Sequence, residues 1–69
     1  MTAAQYDALE RAIVDRSRVA MRVNGAEMVV IPEAIRMQGG RELIVTQNPS
    51  SGLPLLVKID DVERLEVVR

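Results

Sequence analysis

Apolar residues near the start of the chain recur with the spacing of an α-helix. Thr2 followed three residues later by Gln5 forms a capping box, which marks a helix N-terminus. Asp7 lies four residues before Arg11, the spacing of an ion pair on a helix surface. The pattern therefore predicts an amphipathic helix over about residues 3–16. Its apolar stripe is Tyr6, Leu9, Ala12 and Ile13, and its polar face is Asp7, Glu10, Arg11 and Asp15.

After residue 17 the pattern changes to strict alternation, which is typical of a β-strand over residues 18–23. This strand ends at Asn24-Gly25, a dipeptide that supplies the positive φ angles of a tight hairpin turn. The return segment, Glu27 to Ile31, is mostly apolar on both faces, so we expect a strand that is central or covered by the helix. Pro32 cannot donate a ladder hydrogen bond, and it marks an edge or a bulge before the sheet continues over residues 34–37.

The rest of the chain contains three further strand-like segments, over residues 42–47, 55–59 and from 63 or 64 to 68. They are separated by turn or loop signals at Gly39-Gly40 and at Asn48 to Gly52, and by one helical turn, capped by an Asp, at Asp60-Asp61-Val62. Short hairpin strands, a bulge and a one-turn corner together predict a small, strongly bent antiparallel barrel. The expected fold is therefore α+β and mostly β, with a helix and a five-stranded barrel, about residues 18–68, in one domain over residues 1–69.

The composition favours a small domain that folds by packing alone. The 69 residues are 48% apolar and include no cysteine, so neither a disulfide nor a thiolate metal site can form. This suits a reducing compartment, and we expect a cytoplasmic protein. The N-terminus has no basic segment followed by an apolar block, and the apolar run Met28 to Pro32 is too short to cross a bilayer. We therefore expect neither secretion nor membrane insertion.

The residue types needed for catalysis are mostly absent, which predicts that the chain is not an enzyme. There is no histidine to activate a serine, and each serine lies at a helix end or in a loop, where it serves as an ordinary turn residue. Asp60, Asp61 and Glu63 could offer oxygen ligands, but a calcium site takes about six or more. A turn with solvated acids explains them, so we expect no catalytic residue, no metal and no cofactor.

Three cations form a candidate basic strip. Arg18 and Arg22 lie four apart on a strand and point the same way, and Lys58 alternates outward from a strand that could approach them. A net charge of −1 gives no global attraction for nucleic acid, so any contact would depend on this local patch. Tyr6 is the only aromatic residue and offers no platform for stacking bases. The strip could bind nucleic acid or an anionic ligand, or it could be a solvated face with ion pairs.

Apolar residues on both faces of the return strand allow a different function. One apolar face could serve a partner or a second copy of the chain, and an open sheet edge invites pairing by strand addition. Packing of these residues in the core beneath the helix is the alternative. The sequence therefore also allows a protein-interaction module or a homo-oligomer formed by sheet-edge pairing.

Four segments after the helix share the pattern of a known family. This pattern resembles the WYL domain, an Sm-like or SH3-like barrel, although Arg41-Glu42 replaces the tryptophan–tyrosine pair that names the family. The resemblance implies a regulatory module that binds nucleic acid or small ligands through basic and aromatic groups, and the basic strip of Arg18, Arg22 and Lys58 would supply the contacts here. The four segments are Val19-x-Met21-x-Val23, Val30-x-Pro32-x-x-Ile35, Gly40-Arg41-Glu42-Leu43-Ile44 and Val57-Lys58-Ile59-Asp60-Asp61-Val62.

Two other segments point to a protein partner. The run from Tyr6 to Ala12 looks like the opening helix of the Rho-binding antitermination factors, and the run from Leu56 to Val62 looks like their closing segment. That resemblance implies binding to a protein of the transcription machinery through acidic side chains. Asp7 and Glu10 would then be the contacts.

Overall fold

In the computed structural model, which describes residues 1–68, one helix is followed by a five-stranded antiparallel sheet. The predicted class, mostly β with an N-terminal helix, is confirmed. The elements are α1 (Ala3–Asp15), β1 (Arg18–Val23), β2 (Ala26–Gln38), β3 (Arg41–Gln47), β4 (Pro54–Lys58), a 3₁₀ turn (Ile59–Asp61) and β5 (Val62–Val68).

The long strand β2 joins two halves of the sheet, whose strand order is β4-β3-β2-β1-β5. Its first part pairs with β1 as far as Val30, and its second part pairs with β3 from Ile31 onward. The register shifts between Pro32 and Ala34, which places the predicted bulge at this proline. We call β5, β1 and the first part of β2 the first half-sheet, and the second part of β2 with β3 and β4 the second half-sheet.

Both ends of α1 follow from local sequence. At the start, the Thr2 side chain accepts from the Gln5 amide at 3.2 Å, while the Gln5 side chain accepts from the Thr2 amide at 2.8 Å. The helix ends at Asp15, one residue earlier than expected, because Arg16 turns into the left-handed region with a φ of 55°. Its amide then bonds back to carbonyls of the last turn, which closes the helix.

Two expected local interactions are not found. The ion pair within residues 1–68 is Arg64–Glu66, so Asp7 and Arg11 do not pair despite their spacing. Both side chains are exposed, where such pairs contribute little. The 3₁₀ turn also lacks an aspartate cap: Lys58 is its N-cap residue and makes no side-chain capping bond. The prediction of an Asp cap was wrong because β4 runs directly into the turn, and the aspartates lie inside it.

The corner between β4 and β5 is tied to the first hairpin. Asn24 and Gly25 both have positive φ, at 49° and 80°, as the predicted tight turn requires. The Asn24 amide donates to the Asp61 carbonyl at 3.4 Å, and the Gly25 amide donates to Glu63 Oε1 at 2.6 Å. These bonds fix where β5 starts relative to β1.

One apolar core lies between α1 and the inner faces of both half-sheets. Each of its large side chains contributes about 1.5–3 kcal/mol by leaving water. Thr46 is the one polar side chain that is fully buried among the described residues, and its hydroxyl donates to the Leu55 carbonyl at 2.8 Å. The buried apolar residues are Leu9, Ala12, Val19, Met21, Val30, Ile44, Val57 and Ile59.

Candidate binding surface

The outer surface of the first half-sheet carries charges of both signs. Strand alternation directs every second side chain away from the core, and the buried residues Val19 and Met21 identify the inward set on β1. Their neighbours on β1 and the matching positions of β2 and β5 therefore face outward. We call this surface the mixed-charge face: Arg18, Ala20, Arg22, Glu27, Val29, Arg64, Glu66 and Val68.

Arg18 and Arg22 do lie on one face, as the sequence predicts, but acidic residues are interleaved with them. Arg22 is directly opposite Glu27 on β2 and Arg64 on β5. Arg64 in turn bonds Glu66 at 3.0 Å. The local field of the two predicted cations is therefore partly cancelled by carboxylates one strand away.

Lys58, the third member of the predicted strip, lies elsewhere. It is on β4, and both β3 and β2 lie between β4 and β1. Lys58 pairs with Leu43, and Leu43 pairs with Arg36 on its other side. The structure thus brings Lys58 together with Arg36, which lies two strands away at about 10 Å, and does not bring it to Arg18 and Arg22.

The outer surface of the second half-sheet is apolar at its centre and cationic at its rim. One row across the strands is Ala34, Val45 and Leu56, and the next is Arg36, Leu43 and Lys58. Leu56 is 57% exposed although it lies in the middle of its strand. We call this surface the cationic–apolar face: Ala34, Arg36, Gln38, Arg41, Leu43, Val45, Leu56 and Lys58.

A groove of about 460 Å³ lies in this face. Its apolar walls come from two neighbouring strands, because the register places Leu43 and Val45 of β3 beside Leu56 of β4. Met37, which is 67% exposed, extends the apolar surface toward the end of the β2–β3 hairpin. Arg36 and Gln38 complete the lining.

Neither acidic side chain of these strands reaches the cationic–apolar face. Glu33, the extra residue of the bulge, lines a cleft of about 120 Å³ with Ile13 and Arg16 on the α1 side. Glu42 points to the helix and accepts from the Tyr6 hydroxyl at 2.8 Å. Among the described residues, this face therefore carries three cations and no carboxylate.

The Tyr6–Glu42 contact also changes the chemistry of the tyrosine. The hydrogen bond to Glu42, then desolvation, then the negative charges of Glu42 and Asp60 raise the pKa of Tyr6 above its ordinary value. Each cause favours the neutral phenol, which can donate, over the phenolate, which cannot. The contact therefore holds Glu42 toward α1 as long as Tyr6 is protonated.

The predicted acidic contacts, Asp7 and Glu10, are both exposed on α1. Glu10 borders a shallow depression of about 260 Å³ together with Arg11, Val14 and Asp15. Val14, which lines the same depression, is 82% exposed. This helix surface thus presents the predicted acids, with Arg11 as a cation among them.

At the β4–β5 corner, one acidic side chain and one backbone carbonyl have structural roles. Glu63 accepts the Gly25 amide, and the Asp61 carbonyl accepts the Asn24 amide. Within residues 1–68, no group of three or more histidine, cysteine or carboxylate side chains is placed to hold a metal ion. In the same part of the chain, no helix is both long enough and apolar enough to cross a bilayer.

Sequence reasoning missed Arg36 and Arg41 as candidate contacts. The available signal was alternation: Leu43, Val45 and Leu56 are apolar at positions that the alternation assigns to the outer face. Exposed apolar side chains next to cations are typical of a surface that binds a partner. That signal could be read only once the register between β2, β3 and β4 was known.

Comparison with known proteins adds no family assignment. No family model matches the chain, and a search of curated proteins finds no matching relative. The resemblances to the WYL domain and to the Rho-binding antitermination factors therefore stay predictions.

Proposed function

We propose that this chain is a non-catalytic protein-interaction module that binds an acidic, partly apolar segment of another protein on its cationic–apolar face. The supporting observation is the composition of that face: an exposed apolar centre bordered by Arg36, Arg41 and Lys58, with no carboxylate among the described residues. Protein-binding surfaces combine an apolar centre with a polar rim in this way.

The two parts of the face contribute differently to binding. Covering Leu43, Val45 and Leu56 removes apolar area from water at roughly 25 cal/mol per Å². The cations at the rim select acidic partners and speed encounter more than they add affinity. A nucleic acid would satisfy the cations but not the apolar centre, because the face has no aromatic side chain on which a base could stack.

Contact with nucleic acid or an anionic ligand through Arg18 and Arg22 is a second candidate. It is favoured by one observation: Arg64 faces outward beside Arg22, so three arginines share the mixed-charge face. Glu27 and Glu66 on the same face weaken this field. Such binding would depend strongly on salt, since it would rest on phosphate contacts.

A titration followed by nuclear magnetic resonance separates the two candidates. The ¹⁵N-labelled chain is titrated in turn with the blocked peptide Thr-Glu-Val-Val-Val-Glu-Thr, which carries apolar and acidic side chains on the same face of a strand, and with a single-stranded oligonucleotide, at low salt. We expect the peptide to shift the amide signals of Leu43, Val45 and Leu56, which belong to the cationic–apolar face, and to leave those of Arg18 and Arg22 in place.

The opposite pattern would contradict the proposal. If the oligonucleotide binds and shifts the signals around Arg18 and Arg22, while the peptide produces no saturable shift, the mixed-charge face is the binding surface. A peptide in which lysine replaces glutamate is the control for charge. It should bind at least about tenfold more weakly if the cations select acidic partners.

A further inference from the structure

We infer that the partner segment joins the free edge of β4 as an added antiparallel β-strand, an inference that rests on the proposed function and specifies how the partner is held. β4 pairs with β3 on one side only, because it lies at the end of the strand order. A strand that pairs with β4 would extend the second half-sheet and place its own outward side chains next to Leu56 and Lys58.

The hydrogen-bond pattern of the β3–β4 ladder shows which backbone groups are free. The Asn48 amide donates to the Leu53 carbonyl at 2.9 Å, so the next pair, Gln47 and Pro54, belongs to the class that exchanges no bonds. The two classes alternate along an antiparallel ladder. Leu56 and Lys58 are therefore also non-bonded positions, and their amides point away from β3.

Pro54 agrees with this assignment, since a proline is tolerated in a strand where its nitrogen faces outward. It also limits the edge. With Pro54 at one end and the 3₁₀ turn at the other, the free groups are concentrated at Leu56 and Lys58. An edge this short does not support the long edge-to-edge pairing that aggregates sheets.

The two outermost strands of the sheet differ in their surroundings. β5 packs against α1. β4 instead carries exposed leucines, with Leu55 at 41% and Leu56 at 57% exposure. Lys58 follows two residues after Leu56 on the outward side, so the free edge and the cationic–apolar face meet along this strand.

This geometry predicts a sequence rule for the partner. Directly opposite residues in adjacent strands share one face. The partner residue opposite Leu56 should then be apolar and the one opposite Lys58 acidic, and these two residues lie two apart in the partner. The residue between them faces the inner side next to Val57, and it should be apolar as well.

The test uses the same blocked peptide, Thr-Glu-Val-Val-Val-Glu-Thr. Paired antiparallel to β4, it places its central valine opposite Leu56 and one glutamate opposite Lys58, so the central valine exchanges backbone hydrogen bonds with Leu56. The matched control carries one N-methyl group on the central valine, which removes the amide proton that would bond to the Leu56 carbonyl. Side chains and charge are unchanged.

We expect the methylated peptide to bind at least about tenfold more weakly than the parent, which corresponds to the loss of roughly 1.4 kcal/mol. We also expect the Leu56 and Lys58 amides to be protected from hydrogen exchange when the parent peptide is bound. Equal binding of both peptides without that protection would overturn strand addition and leave the proposed function standing. No binding of either would contradict both.

A pair of protein variants tests the same edge from the other side. Lys58 has a φ of −72°, close to the angle that proline requires, so Lys58→Pro fits the backbone. Lys58→Ala loses the same charge but keeps the amide. Lys58→Pro should bind the parent peptide at least about threefold more weakly than Lys58→Ala; equal binding would argue against strand addition. The peptide pair still decides if Lys58→Pro does not fold.

A second copy of the chain is the competing occupant of the edge. Sedimentation equilibrium of the unliganded chain detects it as a concentration-dependent increase in mass. A monomer supports an external partner segment. A dimer that protects the Leu56 and Lys58 amides would overturn the inference, because the edge would then be occupied by the chain itself.

Discussion

The two half-sheets share one core and one long strand, yet their outer surfaces differ. On the mixed-charge face, Arg22 lies between Glu27 and Arg64, and Arg64 is bonded to Glu66. On the cationic–apolar face, the corresponding positions are leucines and a valine with cations around them. A sheet face that is only solvated is normally polar. The exposed apolar groove therefore distinguishes the cationic–apolar face as the one suited to binding a partner.

The difference arises from where the acidic residues of the second half-sheet are directed. The bulge at Pro32 puts Glu33 on the α1 side, and strand alternation puts Glu42 on the inner face with Ile44, where it accepts from the Tyr6 hydroxyl. Each acid is thus removed from the outer face by a specific local feature. The asymmetry depends on this arrangement and not on the overall charge, which is close to zero.

The largest expected effect is a loss of folding stability, and it tests whether both half-sheets contribute to the buried core. Ile44→Ala under the second half-sheet and Met21→Ala under the first should each lower the free energy of unfolding by about 2–5 kcal/mol. Both side chains are fully buried. Urea-induced unfolding measures the change, with Leu56→Ala as the exposed control at less than about 1 kcal/mol. If only one of the two variants loses this much unfolding free energy, the two half-sheets do not contribute equally to the core.

A smaller effect concerns the one buried polar side chain, which belongs to the second half-sheet. Thr46→Val keeps the shape but removes the hydroxyl that donates to the Leu55 carbonyl. We expect a loss of about 0.5–1.5 kcal/mol in unfolding free energy. Thr46→Ser, which retains the hydroxyl and loses a methyl group, serves as the comparison. Unchanged stability of Thr46→Val would mean that this bond does not help to hold β4 on β3.

On the mixed-charge face, the Arg64–Glu66 pair should contribute little. Both side chains are more than 60% exposed, at 63% and 66%. A double-mutant cycle with Arg64→Ala and Glu66→Ala should give a coupling energy below about 1 kcal/mol, and 1 M salt should reduce it further. A larger, salt-resistant coupling would show that this face is more ordered than a solvated surface.

The smallest expected effect appears only at alkaline pH. The pKa of Tyr6 is raised in the folded chain, so the neutral phenol is favoured by folding. Its contribution is fully present below the unfolded tyrosine value of about 10 and is lost as pH rises through the higher folded value. The wild type should therefore lose more stability above pH ~10 than Tyr6→Phe does. If the unfolding free energies of the two proteins fall equally as pH rises, the Tyr6–Glu42 bond does not have this role.

Elements set by adjacent residues could be predicted from the sequence. The capping box at Thr2, the turn at Asn24-Gly25 and the bulge at Pro32 all occur where the pattern placed them. The turn depends on residues that adopt positive φ angles, and the bulge depends on the backbone N–H that proline lacks. Such properties belong to the residue itself and can be read from the sequence.

Features set by strand order could not be predicted in the same way. Lys58 was expected near Arg18 and Arg22, but alternation gives only the side of the sheet and not which strands are neighbours. Arg36 and Arg41 were missed for the same reason. The Asp7–Arg11 pair did not form because spacing permits a surface ion pair without making it stable.

The most direct test of the central claim compares two double charge reversals for binding to the peptide Thr-Glu-Val-Val-Val-Glu-Thr. Arg36→Glu with Lys58→Glu alters the cationic–apolar face, and Arg18→Glu with Arg22→Glu alters the mixed-charge face. Both change the net charge equally, so long-range electrostatics are matched. We predict that the first raises the dissociation constant at least about tenfold and the second less than about twofold. Equal losses in both variants, or a larger loss in the second, would contradict the assignment of the binding surface.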